Sequence, residues 1–98
     1  MTDLTEKETA MIVAFIREGK ECTNAQSAED MLYDNMSWMS ATDLCAELGW
    51  NKQEVGGVMS ALSEKGLIQD SGESAREVQD TDWYATHKAI EKYFDLAQ

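Results

Sequence analysis

Lys52, Gln53, Gly56, Gly57 and Ser60 are the residues of this 98-residue chain best placed to meet another molecule. They recur at the spacing of one helical face, opposite an apolar stripe of Val55, Val58, Met59 and Leu62. Lys52 brings a cation, Gln53 an amide that both donates and accepts, and Ser60 a hydroxyl. The two glycines bring only access, because a helix face without Cβ atoms lets another backbone come close. Inside a helix each also costs about 1 kcal/mol relative to alanine. Two readings of that cost stay open: a tolerated or tightly packed spot within the fold, or close approach of another backbone, chain or element to a smooth helix face.

Catalytic chemistry is not expected. His87 is the only histidine, and no nucleophile–base spacing can be built around it. Gly56-Gly57 lacks the pattern of a phosphate-binding loop. Cys22 and Cys45 form no CxxC pair and read as reduced thiols, Cys45 in the core. Asp80, Asp82, Tyr84, Thr86, Lys88 and Glu91 have the spacing of a calcium loop. However, Ala85 stands where glycine is needed and Lys88 is no ligand. The expectation is no enzyme, no metal and no cofactor.

The elements that must hold these residues are legible from their ends. Thr5 and Glu8 make a capping box for a first helix, Leu4 to Glu18, burying Met11, Ile12, Phe15 and Ile16. Gly19 reads as its stop and residues 20–26 as a loop. Ser27-x-x-Asp30 opens a second short helix, Ser27 to Asn35. Ser37 to Met39 reads as a short strand. Met31, Met36 and Met39 with Tyr33 and Trp38 either complete a small core or form a partner or dimer surface.

Residues 40–68 organise the chain. Thr42 to Leu48 is a short helix with Leu44, Cys45 and Leu48 on one face. Gly49 suits the turn after it, and Asn51 caps the next helix, which Lys65 and Gly66 close. Leu67 and Ile68 begin a strand. A Gly/Ser loop separates them from strand-favouring Val78, Trp83 and Tyr84. Thr86 caps a last helix, His87 to Ala97, with Ile90, Tyr93, Phe94 and Ala97 on one face.

ELGWNKQEVGGVMSALSEKGLI resembles the helix-turn-helix of winged-helix proteins, especially the MarR-like group. Leu48-Gly49, Val55, Leu62 and the run from Lys65 to Ile68 carry the likeness. It implies a fold that is mainly α with a small β-hairpin: one domain over residues 1–98, a helix-turn-helix at about 40–66 and a wing at about 67–85. It also implies a DNA-reading helix with Lys52, Gln53 and Ser60 in the major groove and Arg76 on the wing. Similar proteins commonly pair through their terminal helices.

The charge points elsewhere. The chain carries 8 basic and 19 acidic residues, a net charge of −11. Proteins gain most of their non-specific affinity for DNA from Lys and Arg displacing counterions. Residues 51–65 sum to zero, and the wing offers Asp70, Glu73, Glu77, Asp80 and Asp82 against Arg76 alone. Positions near Ser60 and Ala61, usually basic in similar proteins, are not basic here. The expected function is therefore a small non-enzymatic regulator working mainly through protein contacts. Its acidic surface, Glu73, Glu77 and Asp80 included, would face a basic or nucleic-acid-binding protein. Sequence-specific DNA reading is the competing expectation, disfavoured by charge. No apolar run spans a bilayer and the N-terminus is polar and acidic, so a cytoplasmic protein is expected, without membrane contact, as monomer or homodimer.

Overall fold

Capping side chains set where the helices begin. The computed structural model of the protein describes residues 4–33, 35, 37–70 and 82–97. The chain is mainly helical, with one two-stranded antiparallel sheet. Helix α1 spans Glu6–Thr23, α2 Ala28–Tyr33, α3 Ala41–Leu48 and α4 Lys52–Glu64. Strands β1 (Ile68–Asp70) and β2 (Trp83–Ala85) follow, then α5 (His87–Tyr93) and a 3-10 turn, Phe94–Ala97. Thr5 and Glu8 form the expected reciprocal box at α1, and Ser40 and Asp43 form another at α3. Asn51 and Thr86 cap α4 and α5 by accepting from Glu54 N at 2.8 Å and Ala89 N at 3.3 Å.

Helix α1 is longer than its sequence suggests, because Gly19 does not stop it. That glycine is buried where a Cβ would run into the Met31 methyl group and lie 3.2 Å from Ser37 Cβ. It is there for close approach of α2 and not for a turn. The helix ends instead at Asn24, whose φ of 57° is left-handed and whose N–H donates to Lys20 O. Lys20, expected in a loop, therefore lies in α1. Its Nζ donates to Ala97 O at 2.9 Å and stands 4.6 Å from the centre of the Phe94 ring. The second helix is shorter than expected, and the last one tightens to 3-10 after Tyr93.

The core is built on α1. Met11, Ile12, Phe15 and Ile16 are fully buried, together with Met31, Leu44, Val55, Leu62, Ile68 and Ile90. Each such side chain contributes about 1.5 to 3 kcal/mol through burial. In the sheet Ile68 pairs with Ala85, Gln69 with Tyr84 and Asp70 with Trp83. On the far side of β2, Met39 and Trp83 exchange two backbone bonds of 2.9 and 2.8 Å. The strand expected at 37–39 is thus a single bridge. Side chains finish the job around Ala85. Asn35 Nδ2 donates to Ala85 O at 2.8 Å, and Ala85 N donates to the buried Ser37 Oγ at 3.0 Å. Among the described residues no helix is long and apolar enough to cross a membrane.

Two ion pairs tie α1 to the start and end of α4: Lys7 with Glu54, and Glu8 with Lys65. Glu8 is buried, accepts from Thr5 N at 3.0 Å and from Lys65 Nζ at 2.7 Å, and so serves cap and tether together. The Lys65 hydrogen bond, with the Thr5 backbone N–H second, holds its carboxyl below the ordinary value of 4.5, against an opposing push from burial. A depressed carboxylate stabilises the fold above its unfolded pKa and stops doing so as pH falls through its folded pKa. Glu8→Gln should therefore lower stability at neutral pH by roughly 1 to 2 kcal/mol. In paired urea titrations of the two proteins the gap should close as pH drops below 4.5. A gap of constant size down to acid pH would mean that the carboxylate's charge contributes nothing.

Candidate interaction surface

The α3–α4 unit is positioned by its turn. Gly49 ends α3 with φ 73°, a conformation that excludes most side chains, and its N–H donates to Cys45 O. Two residues later Asn51 starts α4. At the other end Gly66, φ 75°, turns the chain so that Leu67 N donates back to Leu62 O at 3.0 Å. This turn delivers Leu67 and Ile68 to the core and starts β1. Inward, Val55, Met59 and Leu62 of α4 are buried, and Val58 packs half-buried beside them.

Outward, Lys52, Gln53, Gly56, Gly57 and Ser60 are all exposed and share one face of α4. The structure thus brings together the whole helical part of the expected site. Added Cβ atoms at Gly56 and Gly57 would meet nothing within 4 Å. No described element packs against either glycine, which leaves a tolerated spot or the approach of another backbone. Lys52 is the only charged member of the face, since Glu54 turns to Lys7 and Lys65 to Glu8. The wing residues Glu73, Arg76, Glu77 and Asp80 lie outside the described residues, as does Val78.

The Met and aromatic stretch divides in two. Met31 and Met39 enter the core, while Tyr33 is 92% exposed and Trp38 40%. Met36 lies outside the described residues. Trp38 packs on Tyr84 with ring centres 5.7 Å apart. Cys45 is half-buried against the core, Cys22 is exposed, and both thiols are free. The Glu18 carboxylate, accepting from Cys22 Sγ at 3.4 Å, pushes that thiol's pKa up. That makes Cys22 a poor nucleophile. His87 is exposed on α5.

Two groupings were not visible in the sequence. Lys65, Lys88 and Lys92 border one cleft of about 380 Å³ with Leu67 and Tyr93, and Lys88 Nζ donates to Lys65 O at 3.1 Å. Glu18, Asp43 and Glu47 border another of about 340 Å³ beside Met39. Each collects residues from two or more separate elements, so no local spacing signals it.

No family model, no curated protein and no solved structure matches the chain.

Helical glycines with open space around them should be replaceable. Gly56→Ala and Gly57→Ala should each raise unfolding stability by roughly 0.5 to 1 kcal/mol, measured by urea denaturation of the isolated chain. A loss of stability in either variant would mean that the fold itself needs the missing Cβ.

Proposed function

We propose that the chain is a non-enzymatic winged-helix regulator that acts through protein contacts made by the outer face of α4. The observation that carries this reading is the open glycine pair. Gly56 and Gly57 weaken α4, and no neighbour among the described residues takes up the space they leave. A second backbone lying close along the helix would use that space, and Gln53 and Ser60 at its edges supply hydrogen bonds. The charge fits a protein partner better than DNA. The face carries Lys52 alone, and the chain as a whole has 19 acids against 8 bases. Supporting the winged-helix part are the element order, the tight Gly49 turn between α3 and α4, and a two-stranded sheet directly after α4.

DNA reading by the same face remains the alternative, and one experiment separates the two. A photo-cross-linking residue in place of the exposed Ser60 should give protein adducts in the native cell. Introducing Gly56→Ala and Gly57→Ala together should cut the adduct yield several-fold while the fold becomes more stable. Adducts with DNA in place of protein would make α4 a DNA-reading helix. Fluorescence anisotropy at about 50 and 150 mM salt would then show binding that falls steeply with salt.

A further inference from the structure

The outer face of the sheet carries a second candidate surface. Side chains alternate along a strand. Ile68 and Ala85, a cross-strand pair, are buried, so their neighbours Gln69 and Tyr84 point away from the core. Met39, which bridges β2, is buried as well, and Trp38 beside it points outward. Trp38 and Tyr84 therefore meet on the outside, ring planes inclined at 48°. They border a cleft of about 560 Å³, completed by Asn35, Gln69, Thr86 and His87.

Trp38 is held in place before any partner arrives, and Tyr84 packs on it. Trp38 Nε1 donates to Asn35 O at 3.3 Å. Asn35 is itself pinned to Ala85 O and accepts from Ser37 N at 3.1 Å. Thr86 Oγ1 donates to Gly66 O at 2.7 Å. A ring fixed in this way loses little side-chain entropy on binding, which helps make Trp a strong anchor at interfaces. Among the described residues the cleft's lining contains no Lys or Arg, and exposed Asp82 stands two residues before Tyr84. An anionic strand of nucleic acid finds no Lys or Arg among these lining residues. An extended peptide finds ring faces for an apolar residue, an exposed amide at Gln69 for its backbone, and the Asp82 carboxylate for a basic flank.

We propose that this cleft docks an extended peptide segment of a partner protein, with a proline or aromatic anchor on Trp38–Tyr84 and Lys or Arg beside it. The inference deepens the protein-contact reading and rests on it only for the sign of the partner's charge, because the surface is separate from that of α4. The test is selection of a displayed library of random peptides, about twelve residues long, on the full chain. Enrichment of sequences that place Lys or Arg next to proline or an aromatic residue is expected. Trp38→Ala should weaken the selected peptides roughly tenfold or more, as truncating an anchor does. Gln69→Lys, at an exposed site that leaves the core untouched, should weaken them too and guards against a misfolded Trp38→Ala. The pair Gly56→Ala and Gly57→Ala should leave peptide binding unchanged, so the α4 reading can fail without this one. Four results would overturn the proposal: no enrichment, an acidic consensus, peptides indifferent to Trp38→Ala and Gln69→Lys, or self-association in sedimentation that requires Trp38.

Discussion

The structure depends on one apolar stripe of α1. Met11, Ile12, Phe15 and Ile16 exclude solvent completely, and every other helix of the described chain packs on α1, as does β2. A chain of this size has little core to spare, so a single helix must serve as the floor for all the rest. That demand explains why α1 continues past Gly19. Its last turn is needed to hold Lys20 under Ala97 and Phe94, which closes the C-terminal turn onto the first helix. It also explains the two ion pairs to α4. Lys7–Glu54 and Glu8–Lys65 fix the start and end of that helix against the floor, so that its inner face is buried and its outer face is presented.

Local signals were legible, and signals that depend on a distant neighbour were not. The caps at Thr5, Asn51 and Thr86 are set by hydrogen bonds within a few residues, and each is where the sequence places it. The same holds for the positive φ of Gly49 and Gly66. The Ser40–Asp43 box is equally local, but the sequence reading passes over it and begins α3 at Thr42, one residue late. Gly19 shows the limit. A glycine after an amphipathic run reads as a stop, but the same residue can mark a close crossing, and only the position of Met31 decides between them. The aromatic stretch fails for a related reason. Met31, Tyr33, Trp38 and Met39 are all apolar enough for a core, but Met31 enters it against Gly19 while Tyr33 stays exposed, and Met39 enters it through its bridge to Trp83, made across more than forty residues.

The candidate site divides along the same line. Lys52, Gln53, Gly56, Gly57 and Ser60 share a face because a helix has a fixed period, so their grouping needs no tertiary information. Their openness does need it, since an isolated sequence cannot distinguish a glycine pressed by a neighbour from one facing solvent. The Trp38–Tyr84 pair was out of reach for sequence reasoning altogether. Strand alternation gives Tyr84 a direction once the register is known, and the register follows from burial of Ile68 and Ala85.

Charge unites the two surfaces without being the cause of either. Screening confines the field of any one group to about 8 to 10 Å at physiological salt, so a net charge of −11 does not by itself decide what a given face binds. What matters is where the cations are. Lys7 and Lys65 are spent on carboxylates that tether α4, and Lys20 on the C-terminal turn, while Lys88 reaches the carbonyl at the end of α4. These bases serve the architecture, and they leave Lys52 as the one cation on the outer face of α4 and none in the lining of the aromatic cleft. On these two surfaces a polyanion would meet Lys52 alone on the outer face of α4 and no Lys or Arg in the described lining of the cleft. An excess of acid attracts a basic protein and repels nucleic acid only within that same short screening range, so the placement of each base matters more than the total.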